Sequence, residues 1–334
     1  MIVPNPPFET RIMRYGPAAI AEAAALIAKG QPVAVPTETV YGLGADATDA
    51  VAVARIYAAK GRPGFNPLIV HVPDLATAET IAMFDPVARA LAEAFWPGPL
   101  TLVLPLRPDA GIAAPVTAGL KTIALRVPAH RAMRAVLAAC GKPLAAPSAN
   151  ASGTISPTRA EHVAASLEGR IPLIIDDGPT EAGLESTIVM TVGGVRVLRP
   201  GPITGEMLSE ALSRDAAIPG SATPSFAIPV GLRTSPQNKV IAPGQLESHY
   251  APRKPVRLDV KSCEDDEWLI GFGPVAGDDS LSVSGDLTEA AAALFSALFR
   301  ADAGPKPRIA VAPIPATGLG VAINDRLRRA AHRG

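Results

Sequence analysis

The 334-residue sequence predicts an α+β fold on a twisted, mixed sheet with helices, followed by a small α/β domain of Rossmann-like type. Three observations predict it. Over residues 1–213 short apolar runs are numerous, and helical stretches fall among them without the strict alternation of an all-parallel sheet. Over residues 214–255 prolines recur at 219, 224, 229, 236, 243, 252 and 255, with glycine and serine between them; this is the composition of a semi-rigid linker with no core of its own. Over residues 256–334 apolar strands alternate with helices, the pattern of parallel strands joined by helical crossovers.

Each element has a local cause. Pro17 to Lys29 reads as a helix with proline at an early position and Gly30 past its end. Val33 to Val35 is a short strand that breaks at Pro36 into the hydroxyl-rich turn Thr37-Glu38-Thr39, and Tyr41 to Gly44 reads as a glycine-bearing loop. An alanine-rich helix capped by Asp49 delivers Lys60 and Arg62 around Gly61, ahead of a second apolar run, Leu68 to Val72, that contains His71. Asp74 and Asp85 read as N-caps, the second for a helix from Pro86 to Phe95 that Trp96-Pro-Gly-Pro99 stops. Thr101 to Leu106 and Thr122 to Val127 are β-type runs, His130 to Ala139 is helical and ended by Gly141, and Pro143 to Pro147 is a strand feeding the loop Ser148–Gly153. Thr158 and Glu161 have the spacing of a capping box for a helix to Leu167. Strands at 172–175, 186–191 and 195–198 and a helix near 205–213 complete the first domain. Beyond the linker, Val256–Val260, Trp268–Phe272 and Arg308–Ala312 read as strands, and Asp286–Arg300 and Gly320–Ala331 as helices.

Composition narrows the function classes. The 31 basic and 31 acidic residues cancel, whereas a protein that grips nucleic acid by its backbone carries a basic excess or stripe. Aromatic residues make up only 4%, too few for a base-stacking platform. A weak tRNA contact stays open through Lys121, Arg126, Arg131 and Arg134, or through a basic tail of Arg326, Arg328, Arg329 and Arg333. The two cysteines, Cys140 and Cys263, have no metal-ligand spacing and suggest a reducing cytosol. The start MIVPNPPFETR has neither a basic nor an apolar signal region, and no apolar run reaches the ~18 residues that span a bilayer. A cytoplasmic protein without membrane contact is expected.

The C-terminal domain lacks G-x-G-x-x-G after a strand, so it is not read as dinucleotide-binding, and the chain has no phosphate loop, nucleophile elbow or H-E-x-x-H. What remains is a set of loops that follow apolar runs: Thr37–Thr39, Lys60–Asn66, Ser148–Ser156, and Glu185–Thr187 with Arg199-Pro-Gly201. They supply hydroxyls, amides and cations but no acid–base pair or covalent nucleophile. Such a site suits a nucleotide or another polyanion, where positioning and charge stabilisation carry the chemistry.

Six motifs sharpen this reading. P-T-E-T-V-Y-G-L-G (36–44), K-G-R-P-x-x-N-P-L-I-V-H-V (60–72), P-S-A-N-x-S-G-x-x-S-P-T (147–158), G-L-E-S-T-I-V (183–189), L-R-P-G-x-I-T (198–204) and A-P-G-Q-L-E-S-H-Y-A-P (242–252) resemble, in order, the YrdC-like family. The last of them, with the α/β domain, resembles its long two-domain form, that of the L-threonylcarbamoyladenylate synthases. The resemblance implies condensation of L-threonine, bicarbonate and ATP to threonylcarbamoyl-AMP with release of pyrophosphate. The product serves the threonylcarbamoyl (t6A) modification of tRNA adenosine 37, so a downstream tRNA threonylcarbamoyltransferase is the implied recipient. The domains implied are a catalytic unit at 1–213, a linker or lid at 214–255 and the α/β unit at 256–334.

The same resemblance implies the site. Lys60 and Arg62 face the triphosphate, and Asn66, Thr122, Ser148, Ser156, Arg199 and Tyr250 complete the ATP side. Thr39, His71, Arg126, Ala146 and Ser186 hold L-threonine, with Arg126 on its carboxylate. Mg2+ is expected on the ATP phosphates without a dedicated cage, Glu185 being a weak candidate ligand. Residues 242–252 are expected to cover the ATP site, with Tyr250 on the nucleotide.

Overall fold

The computed structural model describes residues 8–214, 242 and 249–332. In the first part the elements are β1 (Arg11–Arg14), α1 (Pro17–Ala28), β2 (Val33–Pro36), β3 (Tyr41–Asp46), α2 (Ala50–Lys60), β4 (Ile69–His71), α3 (Leu75–Ile81), α4 (Pro86–Phe95), β5 (Leu100–Pro105), α5 (Ala114–Thr117) and β6 (Thr122–Arg126). They continue with α6 (Arg131–Cys140), β7 (Leu144–Ala145), α7 (Ala160–Leu167), β8 (Leu173–Asp176), β9 (Thr187–Met190), β10 (Arg196–Arg199) and α8 (Gly205–Arg214). The remainder comprises β11 (Val256–Arg257), β12 (Glu267–Gly271), β13 (Asp279–Ser280), α9 (Leu287–Ala303), β14 (Arg308–Val311) and α10 (Leu319–Ala331).

The three aspartate caps act as expected. The carboxylates of Asp49, Asp74 and Asp85 accept from the main-chain N–H of Val51 (2.8 Å), Thr77 (2.7 Å) and Ala88 (2.7 Å). Each satisfies a donor that the first helical turn leaves without a partner. Gly61 and Gly141 end α2 and α6 with φ of 60° and 61°, a conformation that any Cβ would strain. The expected capping box is not formed. Arg159 stands at the N-cap of α7 without a side-chain bond, and the Thr158 hydroxyl lies 3.0 Å from Ser296 Oγ on α9. A tertiary partner has taken the group that the local motif needed.

Ten strands form one sheet in the order β1-β8-β2-β3-β7-β4-β6-β5-β9-β10. Parallel pairs (β1·β8, β2·β8, β4·β6, β5·β9) and antiparallel pairs (β2·β3, β3·β7, β4·β7, β5·β6, β9·β10) coexist, which makes the sheet mixed. Tyr41–Gly44, expected as a loop, is strand β3. Its residues are all buried, and it pairs with β2 while Leu43 N–H donates to Pro147 O at 2.7 Å. The glycines mislead because they serve packing: a Cβ at Gly42 would touch Ala146 Cβ at 3.4 Å. The edge strand β1 and the one-turn α5 have no expectation in the sequence reading, both being four residues long.

Two apolar layers cover the sheet. Helices α2, α3, α4, α7 and α8 bury Ile56, Ile81, Leu91, Leu167 and Leu208 with Leu102 and Leu125 of the strands. On the other face, α1 and α6 bury Ile27, Met133 and Leu137 against Val33, Val35 and Leu173. The second sheet, β11-β14-β12-β13, is wholly parallel, as the alternation of strands and helices predicts. Its core of Phe295, Leu298, Ile309 and Leu327 also takes in Val40, Ile155, Leu184 and Tyr250 from outside it. Each such side chain contributes roughly 1.5–3 kcal/mol when fully buried, so the α/β unit is joined to the large sheet by a shared core. Among the described residues no helix is long and apolar enough to cross a membrane.

Candidate active site

A cleft of about 530 Å3, counted with the solvent space at its mouth, opens on the ten-stranded sheet. Its wall brings together Thr37, Thr39, Arg62, His71, Arg126, Ala146, Ser148, Glu185, Ser186, Arg199, His249 and Tyr250. Three guanidinium groups against one carboxylate give the wall an excess of positive charge.

The β2–β3 turn supplies one side. Thr37 Oγ1 accepts from the N–H of Thr39 (3.2 Å) and Val40 (3.3 Å) and donates to Val40 O (2.7 Å), so the turn is held by its own hydroxyl. Thr39 Oγ1 lies 2.8 Å from Thr37 Oγ1 and accepts from Arg126 Nη1 at 2.9 Å. Arg126, at the end of β6, also donates from Nε to Gly98 O at 3.2 Å, and its Nη2 stands 2.7 Å from Glu38 Oε1. That last contact is an ion pair and not an aligned hydrogen bond. Burial pushes the Glu38 carboxyl upward, but the Arg126 guanidinium together with the main-chain groups of Glu38 and Ala129 outweighs it and holds the carboxyl below its ordinary value. Glu38 is a partner that sequence reasoning left without a role, although it sits inside the turn motif.

His71 stands beside Arg126 in the parallel β4–β6 register and lines the cleft. Neither ring nitrogen has a well-aligned partner among the described residues; the main chain of Ile69 and Leu144 stands near the ring and opposes the lowering slightly. Burial, helped by the neighbouring Arg126 charge, takes the imidazole down to about 3, so it is neutral at physiological pH. Across the cleft, Ser186 Oγ lies 2.7 Å from Thr101 Oγ1, and Arg199 clasps Ser186 through Nε and Nη2 to its carbonyl (3.1 and 3.0 Å) and Nη2 to its hydroxyl (3.1 Å). A Cβ at Gly201 would collide with the main chain of Glu185 and Thr187, which is why Arg199-Pro-Gly can close on this loop.

The Lys60–Asn66 loop divides. Arg62 is half-buried, lines the cleft and donates to Asn66 O (3.2 Å) and Pro67 O (2.9 Å); burial lowers its guanidinium to about 10. Lys60 does not line the cleft. Its Nζ donates to Ser148 O (2.6 Å) and to Asn150 O, tying the end of α2 to the Ser148–Asn150 loop. Burial and the Arg62 charge together hold this ammonium well below its ordinary range. Asn66 and Ser156 are fully buried behind the wall with side chains lacking aligned partners, and Thr122 lies half-buried at the start of β6. So Arg62, Ser148, Arg199, Tyr250, Thr39, His71, Arg126, Ala146 and Ser186 come together at the cleft, and Lys60, Asn66, Thr122 and Ser156 stand behind or beside it.

Residues 243–248 of the expected lid, and most of the 214–255 linker, lie outside the described residues. His249 and Tyr250 are described. Ala251 N–H donates to Gly153 O at 2.8 Å, and His249 N–H reaches Arg329 O at 3.4 Å. Tyr250 has a φ of 64°, and its buried ring stands 5.6 Å from Phe295 and 5.2 Å from the Arg326 guanidinium. Of the basic tail through which a weak tRNA contact stayed open, Arg328 is exposed, Arg326 and Arg329 are buried, and Arg333 lies outside the described residues. Arg326 is fully buried on Glu185 and Asp325, and Arg329 is buried on Asp325.

A mixed sheet carrying a cation-lined cleft, with a parallel α/β unit packed on it, defines the class as a YrdC-like fold of the two-domain kind. Residues 25–201 match the family of Sua5, YciO and YrdC, described as "Telomere recombination", and residues 203–332 match "Threonylcarbamoyl-AMP synthase, C-terminal domain". The threonylcarbamoyl-AMP synthase of Bacillus subtilis is 42% identical over 334 aligned residues, covering 93% of this chain and 92% of its own. That of Pyrococcus abyssi is 38% identical, covering 92% of each. The crystal structure of P. abyssi Sua5 complexed with L-threonine superposes with a TM-score of 0.82 at 36% identity, over 96% of this chain and 97% of its own. The chain belongs to the threonylcarbamoyl-AMP synthase family.

Proposed function

We propose that the cleft condenses L-threonine, bicarbonate and ATP to threonylcarbamoyl-AMP and pyrophosphate, with the family's reaction carried by the residues placed here. The convergence of Arg62, Arg126 and Arg199 on one cleft carries the reading. The balance is one N–C bond from the threonine amine to the bicarbonate carbon, with loss of water, and one bond from a carbamate oxygen to the α-phosphorus. The α–β bridging P–O bond breaks, and its electron pair leaves with pyrophosphate.

Arg62 and Arg199 stand where they can offset the charge that grows on the leaving group, and Ser148 supports the phosphates beside them. Lys60 acts behind the wall by shaping the Ser148–Asn150 loop that its ammonium holds, and Asn66, Thr122 and Ser156 complete the ATP side from the same layer. On the other side Arg126 offers its guanidinium edge to the threonine carboxylate, with Thr39, Ser186 and neutral His71 around it. Ala146, backed by Gly42, keeps the pocket small enough for a threonine side chain. Among the described residues no three His, Cys, Asp or Glu side chains gather as a metal cage, and Glu185 is already spoken for by Arg326. Mg2+ belongs to the same proposal as part of the Mg–ATP substrate.

The division into residues 1–213, 214–255 and 256–334, work in a reducing cytoplasm with both cysteines free, and hand-over of the product to a tRNA threonylcarbamoyltransferase belong to the same proposal. The test is pyrophosphate release with each substrate omitted in turn. Release that needs ATP, threonine and bicarbonate together supports the reading; release from ATP unaffected by threonine or bicarbonate overturns it.

A further inference from the structure

The wall of the cleft is braced from the far end of the chain. Arg326, on α10, is fully buried. Its Nε donates to Glu185 Oε2 at 2.7 Å, its Nη2 to Pro200 O at 2.9 Å and its Nη1 to Asp325 Oδ2 at 2.8 Å, while its plane lies 5.2 Å from the centre of the Tyr250 ring. Glu185 and Tyr250 line the cleft, and Pro200 adjoins the cleft residue Arg199. One side chain thus touches three separate segments of the wall.

We propose that Arg326 is a positioning residue for the nucleotide side of the reaction, acting through Glu185. The inference rests on the reading of the cleft given above. Among the described residues, Glu185 is the one carboxylate on a wall that holds Arg62, Arg126 and Arg199. Its Oε1 has no aligned hydrogen-bond partner among the described residues; the Ser156 hydroxyl and the Arg199 charge also act on this carboxylate, but the aligned side-chain bond that directs it is the one from Arg326 Nε to Oε2. The loop before it is held by the same α/β unit. A Cβ at Gly183 would run into the main chain of Ala291 and Ala292 on α9, and Leu184 is buried in that unit's core. With Arg326 in place, the Glu185 charge is matched on the side away from the cleft, and Arg62 and Arg199 are left for phosphate. Without it, the carboxylate turns to the nearest cations on the wall and competes with the nucleotide for them. The α/β unit would then do more than cap the fold: it sets the electrostatic balance of a site built on another sheet.

The test uses the full chain and steady-state pyrophosphate release, with ATP and threonine varied separately, together with thermal melts. Arg326→Met is expected to raise the KM for ATP at least tenfold and to leave that for threonine within twofold. Adding Glu185→Gln removes the released charge, so the double variant is expected to recover ATP KM to within about threefold of the parent. A merely structural role predicts the opposite, a double variant no better than the single one, and that result overturns the proposal. An ATP KM within twofold of the parent in Arg326→Met overturns it as well. If Arg326→Met does not fold, the comparison is made on Arg326→Lys, which keeps the charge and loses the fork. Rescue of its ATP KM by Glu185→Gln supports the proposal, and its absence overturns it. The unaltered chain's dependence on threonine and bicarbonate is read in the same assay, so failure of the functional reading is seen separately from failure of the brace.

Discussion

At the scale of single residues, the cleft separates charge that is free to work from charge that is already satisfied. Lys60 and Arg62 are two positions apart, yet Lys60 is spent on the carbonyls of Ser148 and Asn150 while Arg62 reaches the cleft. Arg62→Ala is expected to lower kcat/KM for ATP by 100-fold or more, an interaction loss of about 3 kcal/mol. It should shift stability by less than ~1 kcal/mol, since the side chain is half-buried and leaves only two carbonyls behind. Steady-state kinetics alongside urea unfolding checks both halves, and unchanged turnover at limiting ATP contradicts the assignment. For His71 the expected outcome is an imidazole NMR signal that does not titrate between pH 5 and 8, because burial and Arg126 hold it neutral down to about 3. An inflection near pH 6.5 would mean that water or a carboxylate reaches the ring.

At the scale of elements, α2, α3, α4 and α9 begin where an aspartate caps them, and close approaches are made where glycine permits them. Gly183 has a φ of 67° and lies against the main chain of α9, so it answers both to backbone conformation and to space. Gly183→Ala is expected to destabilise the chain by about 2 kcal/mol or more, from left-handed strain plus displacement of α9. It should also raise the KM for ATP, because Glu185 lies two residues on. Denaturant unfolding and kinetics on the same variant test this; a neutral effect on both would mean the loop and α9 part freely.

At the scale of the whole molecule, acid should loosen the fold by a route with a definite sign. His71 and His162 have folded-state values of about 3 and about 4, both lowered first of all by burial, against an ordinary 6.5. Between those limits the unfolded chain binds more protons, so their contribution is fully present above about pH 6.5 and is lost as pH falls. Glu38, held below its ordinary 4.5 by Arg126 against the opposing cost of burial, adds a term of the same sign that is lost below about 4.5. The urea midpoint is expected to fall by an amount worth a few kcal/mol between pH 6.5 and 4. The His162 ring stacks on Phe299 at 3.9 Å, so part of this loss falls on the join between α7 and α9. A midpoint unchanged from pH 7 to pH 4 contradicts the assignment of these buried neutral rings.

By itself the sequence determined whatever is encoded within a few residues. Asp49, Asp74 and Asp85 cap helices because a short carboxylate reaches the free N–H groups of the next turn whatever surrounds it. The parallel α/β unit follows from strand–helix alternation, and the motif loops were legible because their hydroxyls, glycines and cations stand together in the chain. Only the tertiary structure decided the rest, because those choices depend on partners far away in sequence. Tyr41–Gly44 is a strand because Pro147 and β2 pair with it, and Thr158 leaves its capping position for Ser296. Lys60 turns from the cleft because the Ser148 and Asn150 carbonyls, some ninety residues on, accept from its Nζ and so satisfy a donor that burial takes out of water. Arg326 looks like part of a basic tail until folding sets it on Glu185, 141 residues earlier, where a buried charge must find its counter-ion.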